Sequence, residues 1–278
     1  MASLSPGSRP APEAVTAPRQ SVWKPFFWSL GSVIISLLGV ALIWHIMSLV
    51  FPRTLFPGIV ETFSALPVLA ERPTFWADVW KTTWRTWVGF GFAFAAGIVA
   101  GMLMGFFLAG QTLVRPLILV IQTISAVIWC FFAVIWFGLS DLSVVFVIFI
   151  AGFPIMAFSM WEGVKAIDLD LEAMARAFRV PAHRVFLDIT VPSLYPYMFA
   201  GIRSSFSYCW RTAILAELVI GQRGLGYSMY FAWQNFRTVE VFAWVVVTVG
   251  LMLIMEYALI RPLETYLMRW RPNRDRLS

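Results

Sequence analysis

The chain has 278 residues, of which 60% are hydrophobic and only 13% charged, whereas soluble domains run at roughly 45–50% apolar and about 25% charged. A water-soluble globule is excluded, and with it the reading of about two soluble domains that length alone would give. The net charge of +6 rests mostly on arginine, since Lys24, Lys81 and Lys165 are the only lysines. None of them sits in a Gly-x4-Gly-Lys-Ser/Thr loop, so ATP binding by that motif is excluded as well.

Residues 1–22 are rich in Ser, Pro and Ala, the composition of a disordered tail. The apolar stretch at 26–50 is too long for a signal-peptide core, and no small-residue cleavage site follows it. Pro25 to Pro52, Thr86 to Val114 and Pro116 to Ser140 are 28, 29 and 25 residues without a charge. About 20 apolar residues suffice for a helix to cross a bilayer core, and no polar/apolar alternation suggests barrel strands. The chain reads as an all-α membrane protein with six transmembrane helices near 26–50, 86–109, 114–137, 142–161, 195–220 and 241–260.

Between the first two spans lies a long outer segment containing Pro52, Pro57, Pro67 and Pro73, with Phe75, Trp76 and Trp80 placed as interface anchors. The second span carries Ala93, Gly97, Gly101, Gly105 and Ala109 every four positions. Such a ridge admits another helix backbone, either within the subunit or across a subunit contact. Only Gly138 to Asp141 separate the third and fourth spans, which requires an antiparallel hairpin. With the N-terminus inside, cytoplasmic segments hold 13 basic residues and outer segments six, so both termini are placed in the cytoplasm.

The segment 162–195 is too polar to cross. Asp168 can cap a helix in which Leu171, Met174 and Phe178 share a face, while Arg176 and Arg179 point elsewhere. Pro181 ends that helix and opens a second, 181–189, before Pro192 and Pro196 break the chain. Two short helices joined by an elbow suit a partner's grip; the alternative is a helical hairpin lying on lipid headgroups.

At these residues the sequence resembles the membrane permeases of binding-protein-dependent ABC importers, in the nitrate, sulfonate, taurine and bicarbonate group. Against the cytoplasmic signature Glu-Ala-Ala-x3-Gly-x9-Ile-x-Leu-Pro, the chain has Ala173-Met174-Ala175, Arg179 at the glycine position, and Ile189-Thr190-Val191-Pro192. The signature glutamate is displaced to Glu172, and the proline common in the third span is replaced by Ser125. Thr83-Trp84-Arg85 with Gly89-Phe90, Trp136-Phe137-Gly138, Pro196 through Gly201-Ile202-Arg203, Ala216-Glu217, Gly224-Leu225-Gly226-Tyr227 and Trp270 are similar to further family elements in the same order.

The resemblance implies a type I ABC importer permease fold with cytoplasmic coupling helices, in a bacterial inner membrane. It implies a homodimer, two nucleotide-binding ATPase subunits that hold the ATP and Mg, an extracytoplasmic substrate-binding protein and surrounding lipid, with no nucleic acid. The chain itself would be non-catalytic and bind no cofactor. Glu172, Ala173, Ala175, Phe178, Arg179, Val180, Pro181, Ala182, His183, Arg184, Ile189 and Pro192 would couple it to the ATPase.

Arg203 and Arg211 interrupt the fifth span eight residues apart, within ~80° of each other around a helix, and Glu217 lies on a different face. Charges at that depth face a bundle interior or an aqueous path. A cationic strip would draw small anions such as a sulfonate, nitrate, bicarbonate or organic acid; alternatively Arg203 snorkels and Glu217 pairs structurally. His45, His183, Cys130 and Cys209 show no metal-ligand spacing, so no metal is expected. The expected organisation is a tail (1–22), a first helix with the outer segment (23–85), a permease core (86–262) with its elbow at 165–192, and a basic cytoplasmic tail (263–278). A six-span channel or a membrane enzyme is the competing class, but no convergent His-carboxylate set supports catalysis.

Overall fold

The computed structural model describes residues 23–262 and 264, so the predicted tails, Glu264 apart, lie outside the described residues. A first unit ends at Phe51 and a second begins at Pro52. In the first, α1 (Trp23–Val50) is one uninterrupted helix, with Pro25 in the first turn, where its missing N–H costs nothing.

The second unit opens with α2 (Ile59–Ala70), which the proline-rich sequence did not suggest. Glu61 reaches back to the Gly58 N–H at 3.3 Å and starts the helix. Residues 52–85 fall within the second unit. Next, α3 (Phe75–Phe106) begins well before the predicted span, because its early charged residues are paired inside the protein. After it come α4 (Leu108–Thr123), α5 (Ala126–Phe137), α6 (Asp141–Lys165), α7 (Leu169–Ala177), α8 (Ala182–Val185), α9 (Val191–Ile220), α10 (Leu225–Gln234) and α11 (Thr238–Met255).

Among the described residues, four helices are long and apolar enough to cross a membrane: Phe75–Phe106, Asp141–Lys165, Ala182–Ile220 and Thr238–Ala258. A fifth crossing results if α4 and α5, bent by 97°, form one broken span. The third predicted span is thus not straight. Ile124 and Ser125 are both extended, with ψ of 127° and 143°, and the break occurs without a proline. Ser125 serves as the N-cap of α5, its carbonyl accepting from the Ile128 N–H at 3.0 Å, while the Trp129 indole donates to the freed Ile121 carbonyl at 3.3 Å.

The hairpin between the third and fourth spans is present: Gly138 turns at φ +68° and Ser140 caps α6. α6 packs along both α3 and α9. The glycine ridge of α3 faces α6: a Cβ on Gly97 would lie 2.6 Å from Met156 Cβ, and one on Gly101 2.5 Å from the Ala157 carbonyl. The ridge therefore packs the subunit internally. It stops at Gly105 because Phe107 is extended, and Ala109 falls in α4.

Pro192 and Pro196 do not break the chain as expected. Ala182–Ile220 is continuously helical, because Phe186–Thr190 widens into a π turn, with Val191 N bonded to the Phe186 carbonyl. That extra residue per turn accommodates a proline that cannot donate to the preceding turn.

Candidate functional site

Asp78, Thr82 and Arg85 follow one another at helical spacing on α3, extending the face of Gly89, Ala93 and Gly97 toward the N-terminal end of the helix. Arg85 Nη1 donates to Glu217 Oε1 at 2.7 Å and to the Arg223 carbonyl at 2.7 Å. Its Nε donates to Asp141 Oδ1 at 3.1 Å, its Nη2 meets the same oxygen, and Lys81 Nζ lies 3.2 Å away. Glu217, fully buried, also accepts from Thr82 Oγ1 at 2.7 Å and from the Gly226 N–H at 3.1 Å. Asp78 accepts from the Gly224 N–H at 3.3 Å and the Ser228 hydroxyl at 2.7 Å.

This hub ties α3, α6, α9 and the start of α10 together through two cations, Arg85 and Lys81, and three carboxylates, Glu217, Asp141 and Asp78. It requires glycine at Gly224, where φ is +126° and a Cβ would lie 2.4 Å from the Glu217 carboxyl. Removing one member of a buried pair costs about 3–5 kcal/mol, because a charge is left enclosed without its partner. Four of the family-like fragments meet here: Thr83-Trp84-Arg85 in α3, the turn after Trp136-Phe137-Gly138, Ala216-Glu217, and Gly224-Leu225-Gly226-Tyr227. Beside the hub, Arg72 grips Glu240 with two bonds of 3.0 and 2.7 Å, and this pairing raises the pKa of the Arg72 guanidinium.

The three predicted pathway residues are not brought together. Glu217 belongs to the hub. Arg203 pairs with Glu264, and its Nε lies 4.0 Å from Glu256. Arg211 is exposed and has no carboxylate partner among the described residues. Its Nε donates to the Ser207 carbonyl at 3.3 Å, and its guanidinium carbon lies 5.8 Å from the Tyr208 ring centre. The sequence analysis assigns no role to Asp78, Thr82, Arg85 or Asp141, because the predicted second span starts at residue 86 and leaves the first three outside it. The signal was that these positions continue the ridge's own face.

The predicted elbow forms as two arms, α7 and α8. Asp168 Oδ1 accepts from the Asp170 N–H at 2.9 Å at the start of α7. The helix ends with Val180 N bonded to the Ala175 carbonyl at 3.0 Å and Arg179 at φ +54°. That closure places its penultimate residue in the left-handed region, where glycine is usual; Arg179 occupies the family's glycine position. Leu171, Met174 and Phe178 are exposed on one face, Phe178 by 77%, whereas Ala175 is buried. Ala173, Val180, Pro181, Ala182, His183 and Arg184 are exposed, and Ile189 and Pro192 are half-buried. Glu172 lies in α7, with its side chain outside the described residues. Among the described residues no group of three His, Cys, Asp or Glu could hold a metal.

Among the described residues the chain is helical, with four helices long and apolar enough to cross a membrane and an exposed elbow between α7 and α8. Residues 93–265 match the family of binding-protein-dependent transport system inner membrane components, and the chain belongs to that family. It is similar to a Bacillus subtilis protein provisionally named an aliphatic sulfonates transport permease, SsuC, with 24% identity covering 98% of both chains. It is 27% identical to the bicarbonate transport system permease protein CmpB of Synechococcus elongatus, over 72% of this chain and 76% of CmpB. The nitrate import permease protein NrtB of Leptolyngbya laminosa is also 27% identical, over 62% of each chain. The chain is therefore an integral inner-membrane transport component.

Proposed function

We propose that two copies of the chain form the translocation pathway of an ATP-driven importer for a small anionic solute. Each copy crosses the membrane six times, α1 and the α4–α5 pair completing the count, with both termini in the cytoplasm. Each elbow seats in a cleft of a separate ATPase subunit, which binds the ATP and Mg and performs the hydrolysis. An extracytoplasmic binding protein delivers the solute. Drawing the two ATPases together moves the elbows; because α8, the π turn and α9 are one continuous helix, displacement at Pro181 is carried to Arg211 without an intervening hinge. Alternating access then needs only that each state closes one end of a shared path.

The observation that carries this reading is the apolar face of Leu171, Met174 and Phe178, exposed on an elbow outside the predicted spans. Sulfonate, bicarbonate and nitrate, named for the relatives, are all anions, and Arg211 supplies the positive charge that would attract one. Cysteine pairs between Ala182 and the ATPase surface should cross-link, and Arg184→Glu or Pro181→Gly should release the ATPase or uncouple hydrolysis from uptake. Intact assembly and uptake in all of these variants would remove the elbow from the mechanism.

A further inference from the structure

Two cations from different helices meet on Trp161. The Arg115 guanidinium of α4 lies 5.0 Å from the centre of its ring, and the ammonium of Lys165, the last residue of α6, lies 4.1 Å from it. The two charges are therefore no more than about 9 Å apart, within about one screening length of each other at physiological salt. The ring is held in place by an apolar cluster with Ala100 and Met104 of α3, Ile118 of α4 and Ala157 of α6. Both cations are exposed, and among the described residues neither has a carboxylate partner or a hydrogen-bond acceptor. The acids nearest in sequence, Glu162 and Asp168, pair with neither; Asp168 accepts from the Asp170 N–H instead. Attraction to the face of a tryptophan positions a cation but leaves its charge uncompensated.

The pair stands at a membrane boundary. Helix α6 is long and apolar enough to cross and ends at Lys165, with Trp161 one turn inside that end. Tryptophan and basic residues at the end of a spanning helix sit at headgroup level, and contact with Trp161 sets Arg115 at the same level. From there α4 runs back along α6 into the span, since Ile118 packs with Ala157, and Ile121 and Gln122 reach Ile150 and Ala151. Leu119, one turn deeper than Arg115 on the same face of α4, is exposed. A surface with two unpaired cations at headgroup level and an exposed leucine directly beneath matches a lipid: charge at the top and hydrocarbon below.

We propose that Arg115, Trp161 and Lys165 form a binding site for one anionic phospholipid, at the end of α6 that leads into the elbow. The lipid phosphate accepts from the Arg115 fork and from the Lys165 ammonium, and so supplies the counter-charge that no described side chain provides. One acyl chain descends over Leu119. The headgroup carries no ammonium of its own, as in phosphatidylglycerol, because a choline or ethanolamine would bring a third positive charge to a place that already holds two. Basic pockets between spanning helices hold anionic headgroups in this way. Bound there, the lipid bridges α4 to the last turn of α6, just before α7 begins at Leu169. Its occupancy depends neither on a partner ATPase nor on the solute carried.

The test is native mass spectrometry of the full chain, purified in detergent and offered equal amounts of phosphatidylglycerol and phosphatidylcholine with the same acyl chains. One phosphatidylglycerol should be retained in at least about tenfold excess over phosphatidylcholine. Arg115→Gln and Lys165→Gln should each lower that preference about fivefold, and Arg115→Lys should keep most of it. Both side chains are exposed, so these changes leave the core intact. Arg53→Gln, at an exposed cation already paired with Glu61, should leave the preference unchanged. Glycerol 3-phosphate, a phosphate without the chains, should not displace the lipid even in large excess. Equal retention of the two lipids, a preference that survives both glutamine variants, or displacement by glycerol 3-phosphate would overturn the site. A loss in Arg53→Gln as large as in Arg115→Gln would make the preference one of general surface charge and overturn it as well.

Discussion

Glu217→Leu removes the acceptor of three hydrogen bonds in a fully enclosed position. Arg85 keeps Asp141 and the Arg223 carbonyl in that variant, so the cost falls at the lower end of the range for breaking a buried pair, about 3 kcal/mol. Arg85→Met is worse: it leaves the Glu217 carboxylate enclosed with only Thr82 and Gly226 as donors, for about 5 kcal/mol. The double variant removes both charges and leaves Asp141 with Lys81, so it should recover most of the loss. At roughly 2–4 °C per kcal/mol for a unit of this size, the single variants should lose roughly 6–20 °C in apparent Tm. The assay is survival of the monodisperse, detergent-solubilised protein after heating. Single variants within about 2 °C of the parent, or a double variant whose loss is the sum of the two, would refute the hub as an interdependent pair.

Gly101→Val should prevent accumulation in the membrane, because its Cβ meets the Ala157 backbone at 2.5 Å, whereas Gly91→Ala, with nothing within 4 Å, should accumulate normally; immunoblots of membrane fractions distinguish them. Arg179→Gly relieves a left-handed residue and should stabilise the elbow by about 1 kcal/mol, read as slower proteolytic nicking near residue 179. If nicking accelerates, the guanidinium itself holds the bend. Arg211→Ala should abolish or sharply slow uptake without loss of membrane insertion or ATPase assembly, while Arg211→Lys keeps part of it. Uptake by Arg211→Met at the parent rate, normalised to membrane protein, would remove Arg211 from the pathway.

The membrane class and the hairpin at Gly138 were legible because both follow from local rules: charge-free length in one case and connection length in the other. The elbow's exposed face was legible from the spacing of Leu171, Met174 and Phe178. The break at Ile124 was not, since neither residue there is a proline or glycine and the departure from the family pattern at Ser125 argued against it. Hydropathy also cut α3 short, because it counts Lys81 and Arg85 as charges facing water, although the partners of Arg85, Asp141 and Glu217, lie 56 and 132 residues away. A pairing over that distance leaves no trace in a local window. The continuity of α8 with α9 was hidden similarly, because two prolines read as breaks, whereas the π turn at Phe186–Thr190 accommodates Pro192 and the α-helix continues through Pro196.

The most direct measurement of the central claim is ATP hydrolysis and anion uptake by proteoliposomes that contain the chain alone, with its nucleotide-binding partner, and with that partner plus Pro181→Gly in the elbow. The account predicts no hydrolysis and no uptake from the chain alone, both activities with the partner, and hydrolysis without uptake, or neither, in the elbow variant. Uptake by the chain alone down a gradient without ATP would make it a channel, and hydrolysis by the chain alone after removal of contaminants would make it an enzyme; either result contradicts the account.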